Sequence, residues 1–440
     1  MKKHFFLLAL AFPLFGVAFG QSMVRIYYDS LNTVLKEEYK IIGSDSNQVD
    51  GPYVMYHQNG NLAVTGQFEA GMKYGEFKEY YSDEALLRIT NFQKGKRHGP
   101  VKAYANNGRI VQEAHFQRDT LVGDLITYFD DGTVKSKTKF SQGKPEGLIV
   151  EYYPNGNLKS EIIYSQGQPN GISKKYYPTG VLKSEANYVN GLVNGDFRTY
   201  FDNGNLDTES RLDLGEKSGA FKSYNRDRQL VLAGSYQKGL LHGENRGYHD
   251  NGALKHFYKY DQGKRTGEAL KYYADSTVKE RAIYSKAEKD SDVTEYHQNG
   301  SLKAKKTTKD GVPTGTWTYY HQNGNKSLEE TYSDGKLTLR VSYHNAGNKR
   351  TEEPHLQNMT HGVVTSYSEL GDLESETTFK LGKKTGPFTS YHANGEISVK
   401  GEYLKDKEIG IWQYYDNTGA LTKEATYNRG VLKEEKIIGQ

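Results

Sequence analysis

The sequence contains no cysteine, two tryptophans and ten prolines among 440 residues. Without cysteine there can be no disulfide, no thiolate metal site and no lipid-modified N-terminal cysteine. Leu, Ile and Val are sparse while tyrosine is abundant, at 36 residues. A thick aliphatic core is therefore not expected, and stability must come from rings packed across strands. Beyond the first twenty residues no apolar run is long enough to span a bilayer as a helix. Charge of one sign is also lacking. The formal net charge is +4, and both signs are interspersed without a basic block. A nucleic-acid partner would want a basic face, so none is expected.

The start of the chain reads as a signal peptide over residues 1–20. Lys2, Lys3 and His4 form a basic head, Phe5 to Phe19 an apolar stretch broken by Pro13, and Ala18 and Gly20 supply the small residues a signal peptidase needs. Cleavage near Gly20 would leave Gln21 as the first residue of an exported protein, periplasmic or extracellular. Without Lys2 and Lys3 the basic and acidic residues stand at 56 to 54.

What is present in excess is order. Sixteen tyrosines from Tyr56 to Tyr415 recur every 24 residues, with a single step of 23 between Tyr320 and Tyr343. Such a period means a stacked array of small units. Numbering each unit from its opening glycine, as in Gly147 to Asn170, position 6 is always Tyr and position 1 is Gly in 14 of 16 units. Position 10 is Gly in 13, position 12 is Leu, Ile or Val in 14, position 18 is aromatic in 13 and position 21 is Gly in 12. These three registers account for 39 of the 47 glycines, which therefore mark turns.

Positions 8 to 10 read Pro154-Asn155-Gly156, Asp202-Asn203-Gly204 or Gln298-Asn299-Gly300. Proline suits the first central place of a type I turn, and glycine takes the left-handed conformation that closes a three-residue hairpin loop. Such a loop sets Tyr at position 6 opposite the aliphatic residue at 12, and strand alternation would carry 14, 16 and 18 onto the same face. The fold class is then all-β: an extended antiparallel meander, a β-hairpin repeat solenoid of about 16 units of 24 residues. Residues 21–50 read as a degenerate capping repeat (Tyr27, Tyr28, Tyr39), and residues 51–337 as the regular array. Residues 338–440 hold an irregular repeat, followed by C-terminal repeats and a cap from Val431. Residues 276–291 and 338–361 are the irregular places, the former carrying Ser276, Ala287 and Ser291 in place of glycine. Drift or a hinge at 338–361 are both open.

Stretches such as GPYVMYHQNGNL from Gly51 and GIWQYYDNTGAL from Gly410 resemble the bacterial variant of the MORN repeat. The resemblance covers residues 51 to about 434. It implies β-hairpin arrays used for protein or membrane contact. Some bacterial relatives carry an antitoxin-like label, which fits an exported chain poorly.

Catalytic chemistry is not in view. His57, His249, His297, His321, His344 and His392 share position 7, but equivalent positions in adjacent hairpins are about 9.6 Å apart. Two imidazoles on one zinc each place a nitrogen about 2.0 Å from the metal. A strand-end surface residue is the expected role. No recurring nucleophile–base pair or phosphate-cradling loop is present, so neither enzyme activity, cofactor nor metal is expected. The sequence points to a non-catalytic scaffold that contacts another envelope protein. A multivalent glycan-binding array is the alternative, with Trp317 and Trp412 as its candidate binding surface. An anionic membrane surface comes third, because the charges form no stripe.

Overall fold

The computed structural model describes residues 20–42 and 49–439. The signal-peptide reading therefore lies outside the described residues except at Gly20. Among the described residues there is no helix, and all strand pairs are antiparallel. The chain divides into two compact units, Met1–Gly204 and Asn205–Gln440. In each, strands follow one another as an open meander, each packed beside its chain neighbours.

Local geometry begins at the Asn-Gly turn. The Gly60 amide donates to the His57 carbonyl at 2.9 Å and the His57 amide to that of Asn61 at 2.8 Å, with Gly60 at φ +88°. This is the three-residue loop expected from proline and glycine placement, and it repeats at Tyr153, Gly156 and Asn157. Tyr152 accordingly faces Leu158. The next pair is Glu151 with Ser160, so Lys159 is an unpaired bulge. That bulge corrects one expectation. It turns the returning strand over by one residue, so positions 6 and 12 share one face while 14, 16 and 18 occupy the other. The hydroxyl of Tyr176 confirms the assignment by donating to Glu161, a position-15 side chain, at 2.6 Å.

The second row, which the sequence left unassigned, is the core. Position 3 lies opposite position 16, as in Phe77 with Thr90 and Trp412 with Ala425. Phe77 is 2% exposed, and Ala114, Ala186, Ala282 and Ala425 at position 16 are buried as well. Rings at 3 and 18 meet edge to face in a row, with Tyr53–Phe68 at 5.4 Å, Phe68–Phe77 at 5.6 Å and Phe77–Phe92 at 5.2 Å between centroids. Small residues at 16 make room. A methyl on Gly66 would overlap the Phe77 ring, and one on Gly401 the Trp412 ring.

Hairpins are joined by two-residue turns at positions 20 and 21, both with positive φ, such as Gln166 (49°) and Gly167 (88°). This is the mirror-image turn that matches strand twist. Position 20 is left-handed even when it is Ala70, Leu214 or Leu381. After each such turn comes a wider bulge at position 1. All 14 glycines there have positive φ, while Ser291 and Thr338 do not. The two irregular units show why. At Ser291 the ladder from Glu280–Glu295 to Ser285–Asp290 runs without a bulge, its two surplus residues being absorbed into a longer turn at 286–289. At Thr338 the missing residue reduces the bulge to one residue, between the pairs Thr331–Leu339 and Tyr332–Leu337. Residues 338–361 pair in register on both sides.

The first hairpin, Gln21–Tyr27 with Leu35–Ile42, follows the same rule, with Tyr27 opposite Leu35 at the bulge. At the other end Val431–Ile437 extends the ladder as one exposed strand.

Candidate interaction surfaces

Position 7 is a staple between repeats. The Nε2 of His57 donates to the Tyr80 carbonyl at 3.0 Å, and His249, His297, His344 and His392 do the same to the position-6 carbonyl of the next hairpin. Where position 7 is Tyr, its hydroxyl makes the same bond, as Tyr81 to Tyr104 and Tyr153 to Tyr176. These histidines are half-buried structural donors, which replaces the surface role expected for them. Their reach is fixed by the 23-residue offset to the next position 6. The deletion before Tyr343 shortens that offset, and His321 is left with a buried Nε2 that has no partner.

The Asn-Gly turns are laddered too. Asn59 donates to the Ser82 carbonyl at 2.7 Å, Asn155 to that of Pro178 at 2.8 Å and Asn251 to that of Ala274 at 2.7 Å. The same asparagines accept from the amide two residues on, fixing their own turn. On the opposite rim the Gly95, Gly143 and Gly167 amides donate to carbonyls of the preceding repeat. Where an acid replaces glycine at position 21 it also accepts an amide, as Asp119 does from Arg97 and Asp406 from Lys384.

Several of the tyrosines at position 6 are tethered to carboxylates. Tyr128, Tyr176, Tyr224 and Tyr391 donate to Glu113, Glu161, Glu209 and Glu376. Burial, reinforced by that carboxylate, pushes Tyr176 up to about 12. Tyr332 is likewise pushed up to about 12 by burial and Glu330. The sign follows directly. Below an unfolded pKa of about 10 both states hold the phenolic proton and the stabilisation is complete. Between pH of about 10 and 12 the unfolded chain ionises first, and stability falls. The protein is expected to unfold cooperatively with alkali in that window. Far-UV circular dichroism followed alongside tyrosinate absorbance checks this, and tyrosines that titrate at their ordinary value in a still-folded protein would contradict it.

The two sequence candidates differ in placement. Trp412 is 5% exposed and lies against Phe388, Tyr403 and Tyr427, its Nε1 without a partner. Trp317 is half-buried against Tyr332, and its Nε1 donates to the Thr307 carbonyl at 2.8 Å. Their rings lie far apart in the chain and serve separate stretches of the ring row. No group of three or more His, Asp or Glu is arranged to hold a metal among the described residues. The depressions are open furrows, such as the one between Tyr272 and Tyr296 lined by Glu268, Leu270, Val278 and Arg281.

What remains exposed is a set of variable positions. Position 2 carries Leu148, Ile172, Val363 and Ile411 in some units and Glu76, Asp124 or Glu244 in others. Position 22 carries Met72, Leu192, Leu240 and Val312. Neither row was legible until the bulges fixed which side each residue faces.

Known proteins share this repeat. The MORN repeat variant model matches residues 49–70, 145–166, 169–190, 313–334, 360–381, 384–405 and 408–429. Each matched stretch ends at the left-handed residue of a two-residue turn, the same frame the hydrogen bonds define. No curated protein matches the chain. Among solved structures, the crystal structure of TcdB2-TccC3 is 12% identical over 91% of this chain and 26% of that one, with a TM-score of 0.15. TcdB2-TccC3-Cdc42 is 10% identical over 93% and 30%, with a TM-score of 0.15. The Tc holotoxin pore of Photorhabdus luminescens is 11% identical over 94% and 24%, with a TM-score of 0.14. The chain thus spans about a quarter to a third of those chains, and TM-scores this low leave fold and function to its own residues. Seven of its repeats thus belong to the MORN repeat variant family.

Proposed function

We propose that the protein is an exported, non-catalytic repeat scaffold that holds another cell-envelope protein against its exposed register positions. One observation carries the reading. Recurring side chains at positions 6, 7 and 9, such as Tyr176, His57 and Asn59, are occupied by bonds to neighbouring repeats, whereas exposed positions 2 and 22 vary between apolar and charged from unit to unit. A surface of that kind offers many distinct contacts within each unit, which suits an extended partner better than a small substrate. Export rests on the basic head, apolar stretch and small residues of 1–20.

An affinity pull-down of the purified protein from envelope extract of its own organism, read by mass spectrometry, tests it. A stoichiometric protein partner is the expected result. Retention of polysaccharide without protein would replace this reading with the glycan-binding array.

A further inference from the structure

The two turn rims of the last four hairpins differ in charge. On the two-residue-turn rim, positions 19–22 are Leu356 to Met359, Lys380 to Lys383, Leu404 to Lys407 and Asn428 to Val431. They carry five cations, Lys380, Lys383, Lys405, Lys407 and Arg429, against one acid, Asp406. That acid is occupied by the Lys384 amide. The Asn-Gly rim of the same hairpins carries Glu369, Asp372 and Glu396 and no cation at positions 8–11. Elsewhere lysines and arginines pair across strands, as Lys102 with Glu113 and Lys271 with Glu280. The five rim cations are all exposed, and none makes an ion pair among the described residues.

Apolar side chains stand between them. Leu356, Met359, Leu381, Leu404 and Val431 are 40 to 56% exposed. The turns that present them are held from behind, because the amides of Gly382, Asp406 and Gly430 donate to the carbonyls of Thr360, Lys384 and Glu408. The rim is therefore ordered before any partner arrives, which lowers the entropic cost of binding.

We propose that this rim docks an acidic amphipathic helix of a partner protein, carboxylates on the lysines and aliphatic residues on the leucines. It rests on the scaffold reading and names the chemistry of its partner. Four turns spaced two strands apart make a track about 29 Å long. A helix of about 19 residues has that length, and its diameter of about 10 Å suits the edge of one sheet. Polyanionic sugar would use the cations and leave the aliphatic side chains idle.

The probe is a labelled synthetic peptide of about 20 residues with glutamates and leucines interleaved along one face and neutral polar residues on the other, titrated by fluorescence anisotropy into the whole protein. Binding is expected to weaken about tenfold or more between ~50 and ~200 mM salt. The variant Lys380→Glu, Lys383→Glu, Lys405→Glu, Lys407→Glu, Arg429→Glu should lose about 30-fold or more. It should gain a lysine-for-glutamate version of the peptide that the parent protein refuses. Leu356→Ser, Leu381→Ser, Leu404→Ser should lose about tenfold. Circular dichroism of each variant confirms that the exposed changes leave the fold intact. Absent binding, binding indifferent to charge reversal, or cation-dependent capture of phosphatidylglycerol vesicles in place of the peptide would each overturn the proposal. A native partner still retained by the charge-reversed variant would sink the rim and leave the scaffold standing.

Discussion

Trp412→Ala is expected to remove about 3–5 kcal/mol from the last hairpins. The indole is 5% exposed and within about one ring diameter of Phe388, Tyr403 and Tyr427. It lies over Gly401, whose missing side chain leaves it room. Gly401 has ordinary backbone geometry, so a methyl there strains nothing but the contact. Gly401→Ala is expected to cost about 1–3 kcal/mol by overpacking. The pair should be strongly sub-additive, since removing the ring creates the space the methyl needs. Repeat arrays lose stability locally, so the loss should appear as faster hydrogen exchange in Ile397–Leu404, Lys407–Tyr415 and Leu421–Asn428. Trp412→Phe should be milder, because it also removes an indole N–H that is buried without an acceptor. Unchanged exchange in the alanine variant, with sugar binding lost, would return Trp412 to the role of a binding residue.

Much of this was legible in the sequence, and the limits have physical causes. The Asn-Gly turn was readable because Pro154, Asn155 and Gly156 each carry a local backbone preference. The bulge at position 13 was not, because Lys159, Ala63 or Val231 carries no bulge signal. Missing that one residue placed the tyrosines on the core face, although the rings that fill the core are Phe77, Phe92 and Trp412. The two-residue turn was hidden for another reason. Gln166, Ala70 and Leu381 do not favour a left-handed backbone, which is imposed by the amide staples to the preceding repeat. A signal for the position-7 staple was present and went unread. His and Tyr exchange freely there, and a hydrogen-bond donor at the end of a ring is what they share. The charged rim was invisible to a reading along the chain, since Lys380 and Lys405 lie 25 residues apart in sequence and on neighbouring turns in space.

Arg340→Met is expected to destabilise the second unit by about 2–3 kcal/mol, the lower end for breaking a buried pair because the arginine side chain is 41% exposed. Glu330 occupies position 16, where ten of the other units hold alanine, glycine or threonine, and its side chain is 11% exposed. Arg340, at position 3 of the next unit, lies directly opposite it, the ordinary pairing of positions 16 and 3. The guanidinium reaches one carboxylate oxygen at 2.8 and 3.2 Å, and the Tyr332 hydroxyl donates to the other at 3.0 Å. Removing the arginine strands a carboxylate in the ring row, whereas removing the carboxylate leaves an arginine that can turn to water. Glu330→Ala is therefore expected to cost only about 1 kcal/mol, the scale of an exposed pair. The double variant should lie within about 1 kcal/mol of the parent, alanine being the residue this register holds elsewhere. Urea denaturation of the four proteins gives the cycle. Equal losses for the two single changes would make the pair an ordinary stabilising contact. The asymmetric result would identify Arg340 as the partner that makes an acid tolerable in the ring row.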